Sequence, residues 1–289
     1  MTVNGKELKA LNQIRNLAKK SFDEMKRDLG IYLHSEAKPY IKVKQENGRV
    51  TELYLQNCGL KYLPAAIGEL SGLNTLRLRE NYLTDLPDEL ERLTELEDLH
   101  LGFNKLEELP EVVGELRKLK DLFIYWNEID KLPDSIGNLK NLEYLTAMEN
   151  EIRTVPESFG NLQNLKTLNM RINCVQEIPE AICNLRALEK IDYSGNVGLT
   201  RIPENIGNLQ SLKYLILWCC DSLTQVPESI GNIDSFVELN VIKTGVSNLP
   251  RSMLRLPNLE YVSFDGNRED PVAKALKEKG VEVSDCYWE

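Results

Sequence analysis

The sequence lacks the residues and motifs on which most enzymes depend. Its 289 residues include two histidines, His34 and His100. There is no Gly-rich phosphate loop, no H-E-x-x-H and no G-x-S-x-G stretch, which are local signatures of nucleotide, zinc-protease and serine-hydrolase sites. We therefore expect no catalytic residue, no cofactor and no metal, and we interpret His100 as a contact residue on the exposed side of a strand.

Other absences restrict the class of protein further. None of the six cysteines has a partner at C-x-x-C spacing, and no Asn-x-Ser/Thr acceptor occurs, so we expect reduced thiols, no zinc site and a cytoplasmic location. No segment approaches the ~20 apolar residues of a membrane span, and the N-terminus has no apolar core of a secretory signal. A formal net charge of −10 argues against a nucleic-acid partner, which a basic surface would favour.

A repeated unit fills most of the chain. The skeleton is L-x-x-L-x-L-x-x-N-x-L-x-x-L-P-x-x-I-G-x-L, best seen in residues 96–118. Its first apolar position recurs every 23 or 24 residues, at Val50, Leu73, Leu96, Leu119, Leu142, Leu165, Leu188, Leu212, Phe236 and Leu259. Nine of the twelve prolines share one repeat position. Such spacing is typical of a solenoid in which each unit buries its apolar side only against its neighbours.

The pattern within each unit predicts one short strand and a return segment. The L-x-L part alternates apolar and polar residues, and successive strands run in the same direction, which makes the sheet parallel. The ninth position is occupied by Cys58, Asn81, Asn104, Asn127, Asn150, Asn173, Asn196, Cys220, Thr244 and Asn267. We expect these residues to form a ladder that satisfies buried backbone groups.

These residues resemble the leucine-rich repeat over roughly residues 50–267. The L-P-x-x-I-G-x-L ending is similar to that of intracellular Ras-group proteins and of prokaryotic cytoplasmic repeat proteins. Residues 220–227, CDSLTQVP, are similar to the repeats of plant immune receptors, but their nucleotide-binding domain is not present. The resemblance implies an α/β fold, a right-handed horseshoe solenoid with a parallel concave sheet. It also implies non-catalytic binding of proteins such as small GTPases, kinases or phosphatases.

We predict caps at both ends of ten repeats, the last of them truncated, at residues 50–267. In the N-terminal cap, residues 1–49, a helix over 5–29 is followed by a hairpin with its turn at Asn47-Gly48. The helix carries an apolar stripe of Leu8, Leu11, Ile14, Ala18, Phe22, Met25 and Leu29, which either covers the first repeat or binds a partner. In the C-terminal cap, residues 268–289, Asp270 begins a short helix, which a final strand follows.

The candidate contact residues occupy the outward third, fifth, seventh and eighth positions of the repeats. We predict one contiguous patch of Phe103, Phe123, Tyr125, Trp126, Tyr144 and Met148, beside His100 and flanked by Arg77, Arg79 and Arg171. A second group comprises Tyr214, Ile216, Trp218, Ile242 and Tyr261. Since Trp, Tyr and Arg are enriched at binding hot spots, we interpret these as partner-binding residues. The alternative is that the rings pack along the sheet or against a cap.

Two hypotheses concern the function of the protein. The leading function is a scaffold or recognition module that binds a protein on its concave face. The alternative is a regulatory or accessory subunit of a signalling enzyme, engaged through the N-terminal helix.

Two repeats of 24 residues gain a residue after Asn196 and Cys220. We expect them to disturb the ladder, through drift in a loop or a change of shape for a ligand.

Overall fold

A computed structural model describes residues 4–29, 38–267 and 269–285, with residues 28 and 29 described by their backbone only. The chain begins with helix α1, Gly5–Leu29, and an antiparallel hairpin of β1, Tyr40–Glu46, and β2, Arg49–Gln56. Nine three-residue strands follow: β3 Thr75–Arg77, β4 Asp98–His100, β5 Asp121–Phe123, β6 Tyr144–Thr146, β7 Thr167–Asn169, β8 Lys190–Asp192, β9 Tyr214–Ile216, β10 Glu238–Asn240 and β11 Tyr261–Ser263. Helix α2, Pro271–Glu278, and β12, Glu282–Ser284, complete a 12-stranded sheet in chain order.

The solenoid predicted from the repeat is confirmed, and its sheet is parallel from β2 onward. The predicted turn of the hairpin is also confirmed, since Asn47 and Gly48 have φ values of 51° and 77°, as a type I′ turn requires. The hairpin and the final strand therefore occupy the two edges of the sheet.

Each return segment is a single turn of 3₁₀ helix that begins directly after the repeat proline. The turns are Ala65–Glu69, Asp88–Arg92, Glu111–Glu115, Asp134–Asn138, Glu157–Asn161, Glu180–Asn184, Glu204–Asn208, Glu228–Asn232 and Arg251–Arg255. Pro110 has extended φ and ψ of −62° and 145°, so it precedes the first helical residue rather than occupying it. A Cβ on Gly114 would lie 2.3 Å from the Ser135 Cβ, which explains why the turns of these neighbouring repeats need a glycine there.

The asparagine ladder predicted from the ninth position is formed. Asn150 accepts the Ile129 N–H through Oδ1 at 3.1 Å, and its Nδ2 donates to the carbonyls of Ile124 and Ala147 at 3.0 and 3.1 Å. The disturbance expected from the 24-residue repeats together with Cys220 and Thr244 spares Asn196, which makes the same three bonds. It is found at Cys220 and Thr244, each of which donates one bond to a carbonyl and accepts no N–H among the described residues of the preceding repeat. Each ladder amide thus joins two adjacent repeats.

The N-terminal helix covers the first repeat with most of its predicted stripe. Leu11, Ile14 and Phe22 are buried, whereas Leu8 is 46% exposed and does not belong to the buried stripe. The nearby Glu7 is 1% exposed, and its Oε2 accepts the Val50 N–H at 2.9 Å. The burial of this stripe favours the interpretation of α1 as a cap over that of a partner-binding helix.

The C-terminal cap is closed by Asp270, which the sequence identifies as a helix N-cap. Its Oδ1 accepts the Ala273 N–H at 2.7 Å, and its Oδ2 accepts the Leu249 N–H of the preceding repeat at 3.1 Å. Asn267 does not extend the ladder as expected: it is exposed and accepts the Glu269 N–H at 3.0 Å. A buried carboxylate therefore receives a backbone N–H at each end of the repeats.

Candidate protein-binding surface

The outward side chains of the repeats lie in rows across the concave sheet. On β4, Leu99 is buried between the half-buried Asp98 and His100, and the neighbouring strands pair in register. Third-position residues therefore form one row, fifth-position residues a second, and seventh- and eighth-position residues a third near the carboxyl ends of the strands.

Four predicted contact residues meet in the third row, and we call them the central cluster: Arg79, Phe103, Tyr125 and Trp126. The Phe103 and Trp126 rings stack with centroids 5.4 Å apart, and Tyr125 meets Phe103 edge to face at 5.5 Å. The Arg79 guanidinium lies 5.1 Å from the Phe103 centroid. The Trp126 side chain remains 47% exposed, so the cluster presents a supported aromatic surface to solvent.

Gly102 gives Tyr125 its position in the central cluster. A Cβ at residue 102 would lie 2.7 Å from the Tyr125 Cζ, well inside the separation of two carbon atoms in contact. The absence of a side chain therefore lets the phenol ring lie directly on the backbone of β4's repeat. Nothing in the repeat pattern distinguishes this glycine, since its neighbours at the seventh position are Arg79 and Tyr125.

The eighth position of the first nine repeats has left-handed backbone geometry. Phe103, Trp126 and Ile172 have φ values of 55°, 54° and 51°, a region that costs bulky L-residues of order 1–2 kcal/mol each. The geometry turns the chain toward the ladder residue that follows. The outward alternation of a strand does not extend to this position, so its side chains are directed by the turn.

His100 and Phe123 lie in the second row, apart from the central cluster. Their ring centroids are 4.1 Å apart, and His100 Nε2 lies 2.9 Å from Asp98 Oδ1. Arg77 donates through Nη2 to the other Asp98 oxygen at 3.0 Å. Burial acts to raise the pKa of Asp98, but the hydrogen bonds and charges of His100 and Arg77 outweigh it and lower that pKa below its ordinary value.

Tyr144 and Met148 are less closely tied to these rings than expected, and Tyr214 belongs to the second predicted group. Tyr144 is 42% exposed in the first row, where it pairs in register with Asp121. Burial, together with the charges of Asp98 and Glu143, raises the pKa of Asp121. The Met148 sulfur accepts a hydrogen bond from Asn169 Nδ2 at 3.8 Å, and Tyr214 is half-buried on β9. The predicted patch is therefore spread over three rows.

Arg171 belongs to a second assembly rather than to the flank of the central cluster. Its guanidinium lies 5.7 Å from the centroid of Trp218, and Lys243 Nζ lies 5.4 Å from the same centroid. We call Arg171, Trp218 and Lys243 the distal cluster. Ile216 and Ile242, which we expected in an exposed group here, are only 7% and 4% exposed.

Sequence reasoning missed Tyr54 on β2. The Arg77 guanidinium and Lys42 Nζ lie 5.3 and 4.9 Å from its ring centroid, and Tyr40 meets it edge to face at 5.9 Å. Tyr54 occupies the fifth position of the first repeat, so the rule used for the middle repeats would have identified it.

The described residues contain no arrangement suited to metal or thiol chemistry. No group of three His, Cys, Asp or Glu side chains gathers among them to hold a metal. The five cysteines in these ranges are free, and burial raises the pKa of Cys58, Cys183 and Cys220 to about 12. Those three thiols stay protonated at neutral pH. His34 and Cys286 lie outside the described residues.

None of the helices that the structure describes has the length and apolar character needed to cross a bilayer.

Comparison with known families agrees with this architecture. A family model for a leucine-rich repeat region matches residues 48–150 and 142–225, which together make up more than half of the chain. The chain belongs to the leucine-rich repeat family, whose members are typically non-enzymatic interaction modules. No curated protein sequence matches it.

Solved structures similar to this chain are also leucine-rich repeat proteins. One from Leptospira interrogans is 28% identical with a TM-score of 0.62, over 82% of this chain and 72% of its own. The plant peptide hormone receptor RGFR1, solved with RGF2, is 25% identical with a TM-score of 0.51, over 77% of this chain and 45% of the receptor. The repeat domain of the type III effector XopL is 24% identical with a TM-score of 0.69, over 89% and 94%, and it shares the fold.

Proposed function

We propose that this chain is a non-catalytic protein-interaction module whose concave face binds a protein partner through the central cluster. The observation that carries the proposal is the exposed Trp126 ring, which stacks on Phe103, while Tyr125 supports Phe103 edge to face. Aromatic and arginine side chains of this kind dominate binding hot spots, and the repeat scaffold does not require them at outward positions. The receptor RGFR1, solved with RGF2, supports a protein or peptide as the class of partner.

The sheet offers enough surface for a stable complex. Neighbouring strands lie about 4.8 Å apart, so the ten repeat strands extend over roughly 45 Å. A standard protein interface needs about 800 Å² on each partner. Small GTPases, kinases and phosphatases are the partner classes that the family resemblance implies, and the free thiols of Cys58, Cys183 and Cys220 support a reducing, cytoplasmic setting for them.

The test compares two double variants that remove the same kind of surface. Tyr125→Ala/Trp126→Ala removes the exposed part of the central cluster, and Tyr62→Ala/Tyr82→Ala removes two tyrosines that are 59% and 37% exposed at loop positions away from the strands. Each variant is first shown to keep the wild-type circular dichroism spectrum and urea midpoint. Quantitative affinity capture from the native host is then expected to lose its main partners with the first variant and retain them with the second. An unchanged set of partners with Tyr125→Ala/Trp126→Ala would reject the central cluster as the site.

A further inference from the structure

The cations of the concave face differ in whether a carboxylate neutralises them. Arg77 is paired with Asp98 at 3.0 Å, and Arg79 with Glu80 at 3.0 Å. Across residues 4–29, 38–267 and 269–285, the side chains of Arg171 and Lys243 make no ion pair, and both are exposed. The positive charge of the distal cluster is therefore open to an external anion.

Trp218 keeps the two free cations close together. Arg171 and Lys243 lie 5.7 and 5.4 Å from the centroid of its indole, so the two charges are no farther apart than the sum of those distances. Asp265 of the next repeat accepts the Lys243 backbone N–H through Oδ2 at 3.0 Å and makes no ion pair with the Lys243 side chain. Like charges repel at such separations, and an anion between them would be stabilised by both.

The distal cluster lies at a defined distance from the central one. Trp126 follows β5 and Trp218 follows β9, and these strands are four positions apart in the sheet. At a strand spacing of about 4.8 Å the separation is roughly 19 Å, which an extended chain covers in about six residues. Between the two tryptophans the same row contains Met148 and Glu149 of the fifth repeat, Arg171 and Ile172 of the sixth, and the small Ser194 and Gly195 of the seventh.

We propose that the partner presents an extended segment with an apolar or aromatic side chain at the central cluster and a carboxylate between Arg171 and Lys243, five to seven residues away. This inference rests on the proposed function and specifies the chemistry of its partner. The central cluster provides apolar contact area, while the distal cluster recognises charge. The two clusters together thus select an acidic segment of a particular length.

The test uses a random dodecapeptide library displayed on phage and selected on the intact protein. Selected peptides are expected to pair an aromatic or large aliphatic residue with Asp or Glu at five to seven positions. For a synthetic peptide of that sequence, Arg171→Gln/Lys243→Gln is expected to weaken binding at least tenfold. The variant should also remove the dependence of affinity on NaCl that a surface charge contact produces. Lys9→Gln/Lys19→Gln, which changes the net charge equally on the exposed side of α1, should keep the wild-type affinity within twofold.

Replacing the acidic residue of the peptide distinguishes failure of this inference from failure of the proposed function. Glu→Gln in the peptide should weaken binding to the wild type and have no further effect on Arg171→Gln/Lys243→Gln. Peptides that lose binding only with Tyr125→Ala/Trp126→Ala would overturn this inference and leave the proposed function standing. Peptides insensitive to every concave variant would overturn both. Tighter binding of a phosphoserine peptide than of the Glu peptide, by tenfold or more, would overturn the assignment of a carboxylate in favour of a phosphorylated partner.

Discussion

In the second to seventh repeats an asparagine accepts a backbone N–H from the repeat before it, whereas Cys220 and Thr244 occupy that position in the eighth and ninth. Asn196, for example, accepts the Val175 N–H at 3.0 Å and donates to two carbonyls. Cys220 donates one bond, from Sγ to the Tyr193 carbonyl at 3.3 Å, and Thr244 donates one, to the Val241 carbonyl at 2.7 Å. Within the part of the chain that the structure describes, the eighth and ninth repeats therefore have no side chain at this position that accepts an N–H of the preceding repeat, but they keep one donor to a carbonyl.

The extra residue of the 24-residue repeats explains this loss. It lets the Leu199 N–H donate to the Asn196 carbonyl at 2.9 Å, within one repeat. The Leu223 N–H likewise donates to the Cys220 carbonyl at 2.9 Å. The Leu199 and Leu223 N–H groups, which a ladder asparagine of the following repeat would otherwise accept, are thus already bonded within their own repeats. The side chain at the ninth position of the following repeat then needs only to donate to a backbone carbonyl, which a thiol or a hydroxyl can do. The extra residue in one repeat therefore removes the need for a hydrogen-bond acceptor at the ninth position of the next repeat.

The largest expected effect is that of removing a ladder amide from the regular repeats. Asn150→Ala leaves the Ile129 N–H without its acceptor and removes one of the two amide donors from each of two carbonyls. Those carbonyls, of Ile124 and Ala147, still accept from Asn127 and Asn173. At about 1–3 kcal/mol for the unsatisfied buried N–H and about 0.5–1.5 kcal/mol for each lost bond to a carbonyl, with partial relaxation, we expect a loss of about 2–4 kcal/mol in the free energy of unfolding. Thr244→Ala, the matched change in the ninth repeat, removes one bond to the Val241 carbonyl and a long 3.3 Å bond from the Val246 N–H, and should cost about 1–2 kcal/mol. Urea unfolding of both variants checks the difference, and equal losses would show that the ladder is no stronger in the regular repeats.

A double-mutant cycle addresses the link between insertion and ladder directly. Deleting the exposed Gly198 restores the 23-residue spacing and removes the turn in which Leu199 donates to Asn196. Cys220→Asn supplies the acceptor that Leu199 would then need. Each change alone should destabilise the protein by about 1–3 kcal/mol, since a buried N–H or amide oxygen loses its partner. The combined variant should be more stable than the sum by about 1–3 kcal/mol, and strict additivity would contradict the explanation.

Much of the scaffold could be predicted because its information is periodic. The position of Leu99 or Asn150 in a repeat determines whether it is buried, since every strand has the same register. The pairing of the caps was harder to predict. Asp270 has a helix-capping context, but Glu7 looks like any charged residue in the first turn of a helix, and only packing shows that it meets Val50.

The sequence predicts which residues face outward on the candidate surface, but it does not predict which of them contact one another. Alternation along a strand assigns Phe123 and Tyr125 to the outward face, but contacts between strands depend on side-chain rotamers and on the turn after the strand. The left-handed φ of Trp126 and the approach of Tyr125 to Gly102 follow from that turn. Arg171 contacts Trp218 across two repeats, which no spacing in the sequence indicates.

A smaller effect is expected at Tyr193, which stands at the boundary between the two kinds of repeat. Its ring is fully buried at a position where neighbouring repeats have Met170 and Leu217, and its hydroxyl has no hydrogen-bond partner among the described residues. Burial raises the pKa of this hydroxyl, so it stays neutral. Tyr193→Phe should raise the free energy of unfolding by about 1 kcal/mol, because an unsatisfied buried hydroxyl is removed. A loss of stability in urea unfolding would indicate that the hydroxyl is bonded to a buried water molecule.

The smallest expected effect is at Asn267, which shares the ladder position of Asn150 in sequence. No N–H of the ninth repeat depends on it, because the Val246 N–H donates to the Thr244 hydroxyl at 3.3 Å and the Leu249 N–H to Asp270. Among the described residues, the exposed Asn267 side chain accepts the Glu269 N–H and no other, and water can replace this bond. Asn267→Ala should therefore change the free energy of unfolding by less than about 0.5 kcal/mol, as urea unfolding beside Asn150→Ala will show. A cost above about 1 kcal/mol would mean that the ladder continues to the last repeat, and that Asp270 does not replace it there.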